Sequence, residues 1–192
     1  MKLVLRILDK VLRIIENARV KYSGLNSEGG YIGLYNRFYS PQNIRLDKYV
    51  HIGNNNRFYE DAEISIGEGT IISDDCVFRT ASHYYDGDDL RMLPYDERVI
   101  CRPIAIEKNC WIGMGTIILS GIVIGEGAVV GAGSVVTKSV PKGAVIAGNP
   151  AKIIKYRNLD TYQMLADSNQ QIMRTFDSYE RLKIQEGVKK ND

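Results

Sequence analysis

Two histidines, His51 and His83, are the only side chains here whose ordinary pKa suits proton transfer at neutral pH. His83 lies in a polar segment, and Asp86 follows three residues later. A neutral imidazole can take a proton from a hydroxyl or an amine, and an acceptor on its other ring nitrogen improves that base. The acceptor could be Asp86 or a backbone carbonyl; Asp86 could instead cap the loop turn or contact a substrate. The segment therefore indicates general-base chemistry.

The residue counts argue against several other chemistries. The chain has 2 His and 3 Cys, and no two cysteines form a CxxC pair, so we expect neither a metal site nor a disulfide framework. Lys and Arg number 25 against 23 Asp and Glu, a net charge of +2. That balance lacks the basic excess that is typical of nucleic-acid binding. A chain of 192 residues is long enough to bury one core.

A six-residue period of aliphatic residues runs through much of the sequence. In the second half one aliphatic residue stands at every sixth position: Ile106, Ile112, Ile118, Ile124, Val130 and Val136. The fifth position of each hexad is small or apolar, and a glycine directly follows three of the aliphatics, as Gly113, Gly125 and Gly131. The period also runs through the first half, with a two-residue slip near Ile64.

Such a period fits neither an α-helix nor a flat strand, whose side chains repeat about every 3.6 and 2 residues. It fits a prism in which each short strand points one aliphatic inward and then turns a corner, often at a glycine. Three strands close one coil, and the coils bury their inner faces by stacking. We therefore predict an all-β solenoid over residues 44–155, with a loop insertion at residues 84–102 where the period breaks.

Helical spacing is found at both ends. In residues 1–16 charges alternate with Leu5, Leu8, Leu12 and Ile15, which predicts an amphipathic helix within the N-terminal segment 1–43. Its charges interrupt the apolar run that a signal peptide or a membrane span requires. The helix packs on protein or rests on a membrane surface. In the C-terminal segment 156–192, the helical spacing of Ile172, Phe176 and Tyr179 predicts a helix from Asp160 to Glu186.

Several motifs together resemble the hexapeptide-repeat acyltransferases, in particular the maltose, galactoside and polysaccharide O-acetyltransferases. The motifs are His83 with its loop, Trp-Ile-Gly at residues 111–113, Gly-Ala-Gly-Ser-Val-Val-Thr-Lys at 131–138 and Gly-Asn-Pro-Ala-Lys at 148–152. The resemblance covers about residues 44–155. It implies a left-handed parallel β-helix, and a homotrimer with active sites between subunits. The implied reaction is acyl transfer from acetyl-CoA to a carbohydrate acceptor.

The resemblance also implies roles for individual residues. His83 stands where the family carries its catalytic base. Gly113 offers an oxyanion donor or only a corner, and Trp111 shapes the acyl pocket near His83 or a subunit interface. The residues implied for coenzyme A are Trp111, Gly113, Ala132, Thr137, Lys138 and Lys155, with Lys152 a further candidate. The residues that we nominate for acceptor binding are Asn55, Asn56, Tyr84 and Asp86.

Four functions are compatible with the fold. The first is an acetyl-CoA-dependent O-acetyltransferase that acts by direct transfer on a sugar or a surface-polysaccharide precursor. An N-acyltransferase acting on an amino sugar is the second, because a histidine base serves an amine equally. A non-catalytic hexapeptide-repeat scaffold is the third. A γ-type carbonic anhydrase, which shares the prism, is the fourth. That enzyme needs three zinc-bound histidines, and the sequence has only 2 His, so this function is excluded.

The amphipathic N-terminal segment differs from that of the maltose and galactoside enzymes. This difference favours the branch that modifies surface polysaccharides or their precursors. We accordingly expect a cytoplasmic protein in peripheral contact with the inner face of the membrane through residues 1–16.

Overall fold

The computed structural model describes residues 10–11, 14–15 and 24–174. Residues 24–174 form a parallel β-solenoid followed by one α-helix, α1 (Leu159–Asp167). A short 3-10 turn, Pro41–Asn43, lies within the first coil, and a second, Ile172–Arg174, follows α1. The strands are β1 (Tyr31–Ile32), β2 (Arg37–Phe38), β3 (Ile44–Leu46), β4 (His51–Ile52), β5 (Arg57–Tyr59), β6 (Ile64–Ile66), β7 (Ile71–Ile72), β8 (Val77–Arg79), β9 (Ala81–His83), β10 (Val99–Cys101), β11 (Ile104–Ile106), β12 (Trp111–Ile112), β13 (Ile117–Ile118), β14 (Val123–Ile124), β15 (Val129–Val130), β16 (Val135–Val136), β17 (Ala144–Gly148) and β18 (Ala151–Tyr156).

Three sheets form the sides of the prism. Sheet A has the strand order β1-β4-β7-β12-β15-β17-β18, sheet B the order β16-β13-β8-β5-β2, and sheet C the order β14-β11-β6-β3. Neighbouring strands in these sheets are parallel, except that β17 and β18 pair antiparallel at the end of the solenoid. The all-β solenoid predicted from the six-residue period is thereby confirmed.

The aliphatic of each hexad points into the prism, where it stacks on the same position of the next coil. In sheet B the column begins with three aromatic rings, Phe38, Phe58 and Phe78, whose centroids are 4.9 and 4.5 Å apart. Phe58 and Phe78 are fully buried, as is Ile118 above them. Because each coil buries its inner face only against its neighbours, these columns hold the solenoid together.

The corner between sheets B and C, the B–C corner, is longer than the other corners in the lower coils. Eight residues separate Phe58 from Ile66 there, with the buried Ile64 between them, whereas six separate Ile118 from Ile124 in the regular upper coils. The two extra residues are the slip predicted near Ile64. In the third coil the same corner extends into an antiparallel hairpin of β9 and β10. The insertion therefore begins in β9, earlier than the predicted residue 84.

The solenoid also begins earlier than the predicted residue 44. Strand β1 pairs in parallel with β4, and β2 pairs in parallel with β5, so residues 31–43 form a first coil rather than a lead-in. The tyrosine-rich composition of this segment obscured the period, because Ile32 and Phe38 are the inward residues and the tyrosines face outward.

The predicted C-terminal helix is wrong in its length. Helix α1 ends at Asp167, and Asn169 has a left-handed φ of 55°, a conformation typical of the residues that follow a helix end. Tyr162, which is 6% exposed, anchors α1 to the solenoid. Its hydroxyl donates to Glu126 Oε1 at 2.9 Å. Phe176 and Tyr179 lie outside the described residues.

Most of the predicted N-terminal helix lies outside the described residues. Lys10, Val11, Ile14 and Ile15 are helical, and the three apolar side chains are exposed. No helix within the described part of the chain is long and apolar enough to cross a membrane.

Candidate active site

A pocket of about 650 Å³ lies at the B–C corner, between the β9–β10 hairpin and the upper coils of sheet B. His83 is the last residue of β9 and pairs with Val99 across the hairpin, so the hairpin fixes its backbone at the pocket. The lining residues come from the hairpin, the loop and sheet B: Arg79, Ala81, Ser82, His83, Tyr85, Asp86, Ile100, Arg102, Leu119, Ser120 and Thr137.

The side chain of His83 is exposed and stacks on Tyr95 of the loop. The two ring centroids are 3.9 Å apart and the planes make an angle of 16°. Asp86 lines the same pocket, but within residues 24–174 it makes no hydrogen bond with His83. Stacking on Tyr95 is therefore the contact that orients the imidazole in this structure.

The loop that carries Tyr95 is held by one arginine. The Arg98 guanidinium donates to the buried Asp96 carboxylate at 2.6 Å and also binds Asp89. These hydrogen bonds from Arg98 hold the pKa of the Asp96 carboxyl well below its usual range. Because Asp96 directly follows Tyr95, the ion pair fixes the segment on which His83 rests.

Tyr84 belongs to this network and not to the pocket. Its hydroxyl donates to Asp89 Oδ1 at 2.7 Å, and that hydrogen bond raises the pKa of Tyr84. The Arg98 guanidinium carbon lies 4.0 Å from the centre of the Tyr84 ring. The nomination of Tyr84 for acceptor binding is therefore not supported, whereas its neighbour Tyr85 is exposed and lines the pocket.

Sheet B supplies three pocket residues at equivalent positions of successive coils. Arg79, Leu119 and Thr137 each follow an inward residue, namely Phe78, Ile118 and Val136. Thr137 is one of the residues implied for coenzyme A, and the structure brings it together with His83. Arg79 and Arg102 line the pocket although neither was predicted from the sequence. Arg79 could have been found from the six-residue period, because it directly follows the inward residue of a sheet B hexad, as Leu119 and Thr137 do.

Gly113 cannot donate to an oxyanion in this structure. Its backbone N–H donates to the Val130 carbonyl at 2.8 Å, as part of the hydrogen bonding between coils. A Cβ at Gly113 would lie 2.6 Å from the backbone nitrogen of Ala132. Of the two roles open to Gly113 in the sequence, the structure supports the corner and excludes the oxyanion donor.

Trp111 and His83 do not line the same pocket within one chain. Trp111 points outward from sheet A with 54% of its surface exposed, and its Nε1 donates to Ser73 Oγ at 3.4 Å. It lines a cavity of about 230 Å³ beside α1. Ala132 is exposed at the corner between sheets A and B, the A–B corner. Both residues implied for coenzyme A therefore lie away from Thr137 on the prism.

Of the two asparagines nominated for acceptor binding, Asn56 is in the core. Its side chain is fully buried at the A–B corner, and its Oδ1 accepts from the backbone N–H of Cys76 at 2.7 Å. A side chain without solvent access cannot bind an acceptor, so this nomination is wrong. Asn55 is exposed at the same corner with φ 56°, and its Nδ2 donates to Asp75 Oδ1 at 2.5 Å.

The lysines implied for the coenzyme A phosphates lie on the last coils. Lys138 follows β16, and Lys152 and Lys155 belong to β18. All three are exposed, and none forms a salt bridge with another residue of the described range 24–174. They remain available to an anion.

His51 has a different setting from His83. It lies half-buried on the outer face of sheet A, with its ring centroid 5.0 Å from that of Tyr31. Burial lowers the pKa of His51, and the nearby Asp74 partly offsets this effect. As for metals, the residues that the structure describes contain no group of three or more His, Cys, Asp or Glu side chains that could hold an ion.

Comparison with known proteins agrees with this architecture. Residues 103–138 match the family model described as the hexapeptide repeat of succinyl-transferase. The chain is 42% identical to nodulation protein L of Rhizobium meliloti (strain 1021) over 111 residues, which cover 58% of this chain and 58% of the relative. The chain thus spans less than two thirds of the length of that curated relative.

Solved structures define the class. A hexapeptide-repeat-containing acetyltransferase from Vibrio cholerae O1 biovar eltor, complexed with acetyl coenzyme A, is 32% identical, with a TM-score of 0.55, over 67% of this chain and 71% of that chain. A galactoside acetyltransferase in complex with coenzyme A is 27% identical, with a TM-score of 0.61, over 70% and 66%. The fold and the pocket define a β-solenoid transferase scaffold. The chain belongs to the family of hexapeptide-repeat acetyltransferases.

Proposed function

We propose that the protein transfers an acetyl group from acetyl-CoA to a hydroxyl of a sugar or of a surface-polysaccharide precursor, with His83 as the general base. The observation that carries the proposal is that His83 and Thr137 line one pocket at the B–C corner. The base implied by the family motif and a residue implied for the donor therefore face the same space. The similar proteins complexed with acetyl coenzyme A and coenzyme A support this choice of donor.

The proposed reaction needs little beyond a base. A thioester is already activated, so the barrier falls when a positioned imidazole accepts the hydroxyl proton as the oxygen attacks the carbonyl carbon. The new C–O bond forms, the C–S bond breaks, and the leaving thiolate takes the proton back from His83. Tyr95 holds the imidazole plane during this cycle, and Asp86 at the pocket edge is placed to contact the acceptor.

The donor in this proposal extends from the pocket towards the last coils. Thr137 marks its start, and the exposed Lys138, Lys152 and Lys155 lie where cations are needed for the phosphates of coenzyme A. Lysine serves such groups as a point charge. A Lys138→Gln variant is expected to raise the KM for acetyl-CoA about fivefold, with kcat unchanged.

We further propose a homotrimer in which each active site is shared by two subunits. Two sets of implied residues lie on different parts of one chain: His83 and Thr137 at the B–C corner, and Asn55, Trp111 and Ala132 on sheet A and the A–B corner. A neighbouring copy that presents its A–B corner to the B–C corner would complete the site. Closed rotational symmetry is the usual way to satisfy such a contact.

Mixed oligomers test the shared site. His83→Ala and Trp111→Ala chains are each expected to be inactive alone and to regain activity when they are mixed under exchange, because some sites then contain both native residues. Light scattering should give a mass three times the 21.6 kDa of the chain. A monomeric mass, or no recovery on mixing, would contradict the shared site.

An acceptor panel tests the reaction itself. Release of the free thiol of coenzyme A is followed with sugars, nucleotide sugars and oligosaccharides, some with hydroxyls alone and some with an amine. Release with hydroxyl-only acceptors supports O-transfer, and release with amino sugars alone would favour the N-acyltransferase. Equal rates for the wild type and His83→Ala would contradict the base, and the absence of coenzyme A binding would favour a non-catalytic scaffold.

We also propose that the protein acts in the cytoplasm, at the inner face of the membrane, through residues 1–16. Val11, Ile14 and Ile15 are helical and exposed, which supports an apolar helix face open to a partner. Flotation with liposomes that contain anionic lipid should recover the full chain. Recovery of none of it, with anionic or neutral lipid, would contradict the membrane contact.

A further inference from the structure

One outward column of side chains runs along sheet B and ends in the pocket. Tyr39 stacks on Tyr59, and Tyr59 pairs with Arg79, which lines the pocket. Leu119 and Thr137 continue the column through the upper coils, since Ile118 pairs with Phe78 below it and with Val136 above it. Parallel strands are about 4.8 Å apart, so Tyr39 lies about two such steps from Arg79.

The lower part of this column presents polar edges to solvent. The Tyr39 and Tyr59 rings are stacked, with centroids 4.7 Å apart and an angle of 13° between them. The Arg79 guanidinium carbon lies 5.0 Å from the centre of the Tyr59 ring. Both faces of the Tyr59 ring are thus occupied, so Tyr59 offers a ligand its hydroxyl, next to the Arg79 guanidinium and the exposed Tyr39.

A second column beside it begins with two arginines, and Val77 follows them. Arg37 pairs directly with Arg57 in the parallel register, and both are exposed. Like charges directly opposite each other on neighbouring strands destabilise a sheet. A sequence that keeps such a pair has a local conflict of the kind that proteins retain at functional sites. A bound anion would remove the repulsion.

The cations near this face also lack acidic partners. Arg37, Arg57, Arg79 and Arg102 form no salt bridge with any residue in the described range 24–174. Four arginines elsewhere have acidic partners: Arg45 binds Glu63, Arg91 binds Glu97, Arg98 binds Asp89 and Asp96, and Arg174 binds Glu68. A fifth, Arg157, donates to the Gly127 carbonyl and lies over the Tyr162 ring. Among the residues lining the pocket, the one carboxylate is Asp86, which belongs to the loop and not to sheet B.

We propose that the lower face of sheet B, formed by Arg37, Tyr39, Arg57, Tyr59 and Arg79, binds an anionic saccharide acceptor. This inference rests on the proposed function and names its substrate class. The guanidinium groups bind a carboxylate or phosphate of the saccharide, because their planar fork matches both anions. The tyrosine hydroxyls bind sugar hydroxyls, and the saccharide then reaches His83 along the column.

The donor does not compete for this face. On sheet B the residues assigned to coenzyme A, Thr137 and Lys138, directly follow the last strand, β16, whereas Arg37 and Arg57 lie on the first two coils. His83 is between the two groups, so the donor and acceptor approach the imidazole from opposite ends of sheet B. The anion could be a uronate within a glycan or the phosphate of a linked sugar, and the test separates these sources.

The test measures binding without turnover, by calorimetry on the full His83→Ala chain saturated with coenzyme A. The probes are tetragalacturonate, UDP-galactose and, as a neutral match in length, maltotetraose. We expect at least one anionic probe to bind about tenfold more tightly than maltotetraose, and its Kd to rise with salt because the contacts are exposed. Which of the two anionic probes binds identifies a carboxylate or a phosphate as the recognised group.

Arginine variants assign the binding to this face. Arg57→Gln should weaken binding of the anionic probe about fivefold and leave maltotetraose unchanged. Arg57→Lys keeps the charge but loses the planar fork, so it should weaken the anionic probe less than Arg57→Gln does. The matched control is Arg45→Gln, an exposed arginine on sheet C, which should change neither. Circular dichroism confirms that each variant is folded.

Three outcomes would overturn the inference: equal affinity for anionic and neutral probes, equal effects of Arg45→Gln and Arg57→Gln, or binding of the anionic probe only when coenzyme A is left out. The last outcome would assign the arginines to the donor. These results are separable from the proposed function. If the wild type binds the anionic probe but releases no thiol, acetyl transfer is refuted and the binding face is supported. If it transfers acetyl groups to neutral sugars with no preference for anionic ones, the binding face is refuted and acetyl transfer is supported.

Discussion

The imidazole of His83 lies almost parallel to the phenol ring of Tyr95, at a centroid distance of 3.9 Å. The two residues come from different parts of the insertion, since His83 ends β9 and Tyr95 directly precedes the buried Asp96. The stack therefore links the orientation of the proposed base to the ion pair that holds the loop.

Replacing Tyr95 tests whether the stack positions the base. An aromatic pair contributes about 0.5–1.5 kcal/mol beyond its buried area, so Tyr95→Ala should lower kcat about tenfold, since about 1.4 kcal/mol corresponds to one power of ten. The KM for acetyl-CoA should stay within twofold. Tyr95→Phe keeps the ring and should retain the activity. If Phe costs as much as Ala, the hydroxyl and not the stack is responsible.

The corner at Gly113 gives a prediction about stability. A Cβ there would meet the backbone of the next coil at 2.6 Å, so Gly113→Ala should lower the free energy of unfolding by about 1–3 kcal/mol. Gly115→Ala is the matched control. Its φ is +69° but the nearest atom is 3.9 Å away, so it should cost about 1 kcal/mol. Urea unfolding measures both. An unchanged stability with a large loss of kcat in folded Gly113→Ala would restore a catalytic role.

The loss of Asn56 should cost more stability than the loss of its neighbour Asn55. Asn56→Ala leaves the buried N–H of Cys76 without its acceptor, which costs about 1–3 kcal/mol of stability. The KM for any acceptor should not change. Asn55→Ala removes an exposed hydrogen bond to Asp75 and puts alanine at a left-handed φ of 56°, so it should cost about 1 kcal/mol of stability. A rise in acceptor KM for Asn56→Ala at full folding would contradict its assignment to the core.

The lowered pKa of His51 predicts a dependence of stability on pH. Burial disfavours the charged imidazole in the folded state, so below the ordinary pKa of 6.5 the unfolded chain takes up protons more readily than the folded one. The contribution of His51 to stability is therefore complete above pH 6.5 and is lost as the pH falls towards the lower folded pKa. Urea unfolding at pH 5 and pH 7 should show a smaller difference in His51→Gln than in the wild type. An equal difference would contradict the burial effect.

The sequence predicts the inward columns well, because each hexad fixes one buried residue and one corner regardless of what lies outside. Ile112, Ile118 and Ile124 were placed correctly from spacing alone. The sheet to which an outward residue belongs is harder to predict, because it depends on how many residues each preceding corner holds. Trp111 and His83 belong to neighbouring motifs, yet they lie on different sides of the prism.

The interior of the loop could not be derived from the period. Tyr84 and Tyr85 are adjacent and identical in type, and only the position of Arg98, fourteen residues beyond Tyr84, decides which ring is held within the loop. Asn56 shows a similar limit: in the sequence it is part of a polar turn, whereas the A–B corner buries the side chain at this one position in successive coils, as Asn36 and Asn56. Contacts between distant residues, and not local spacing, decide these cases.

The B–C corner has a consequence for how such a protein can change. The first two coils each accommodate two additional residues there and the third accommodates an entire hairpin, while the strands on either side keep their register with the coils above and below. Additional residues are thus accommodated at the B–C corner, and the packing of the stacked interior stays the same. A hairpin from a relative could be grafted between β8 and β11, exchanging the surroundings of the histidine for those suited to another acceptor on the same scaffold.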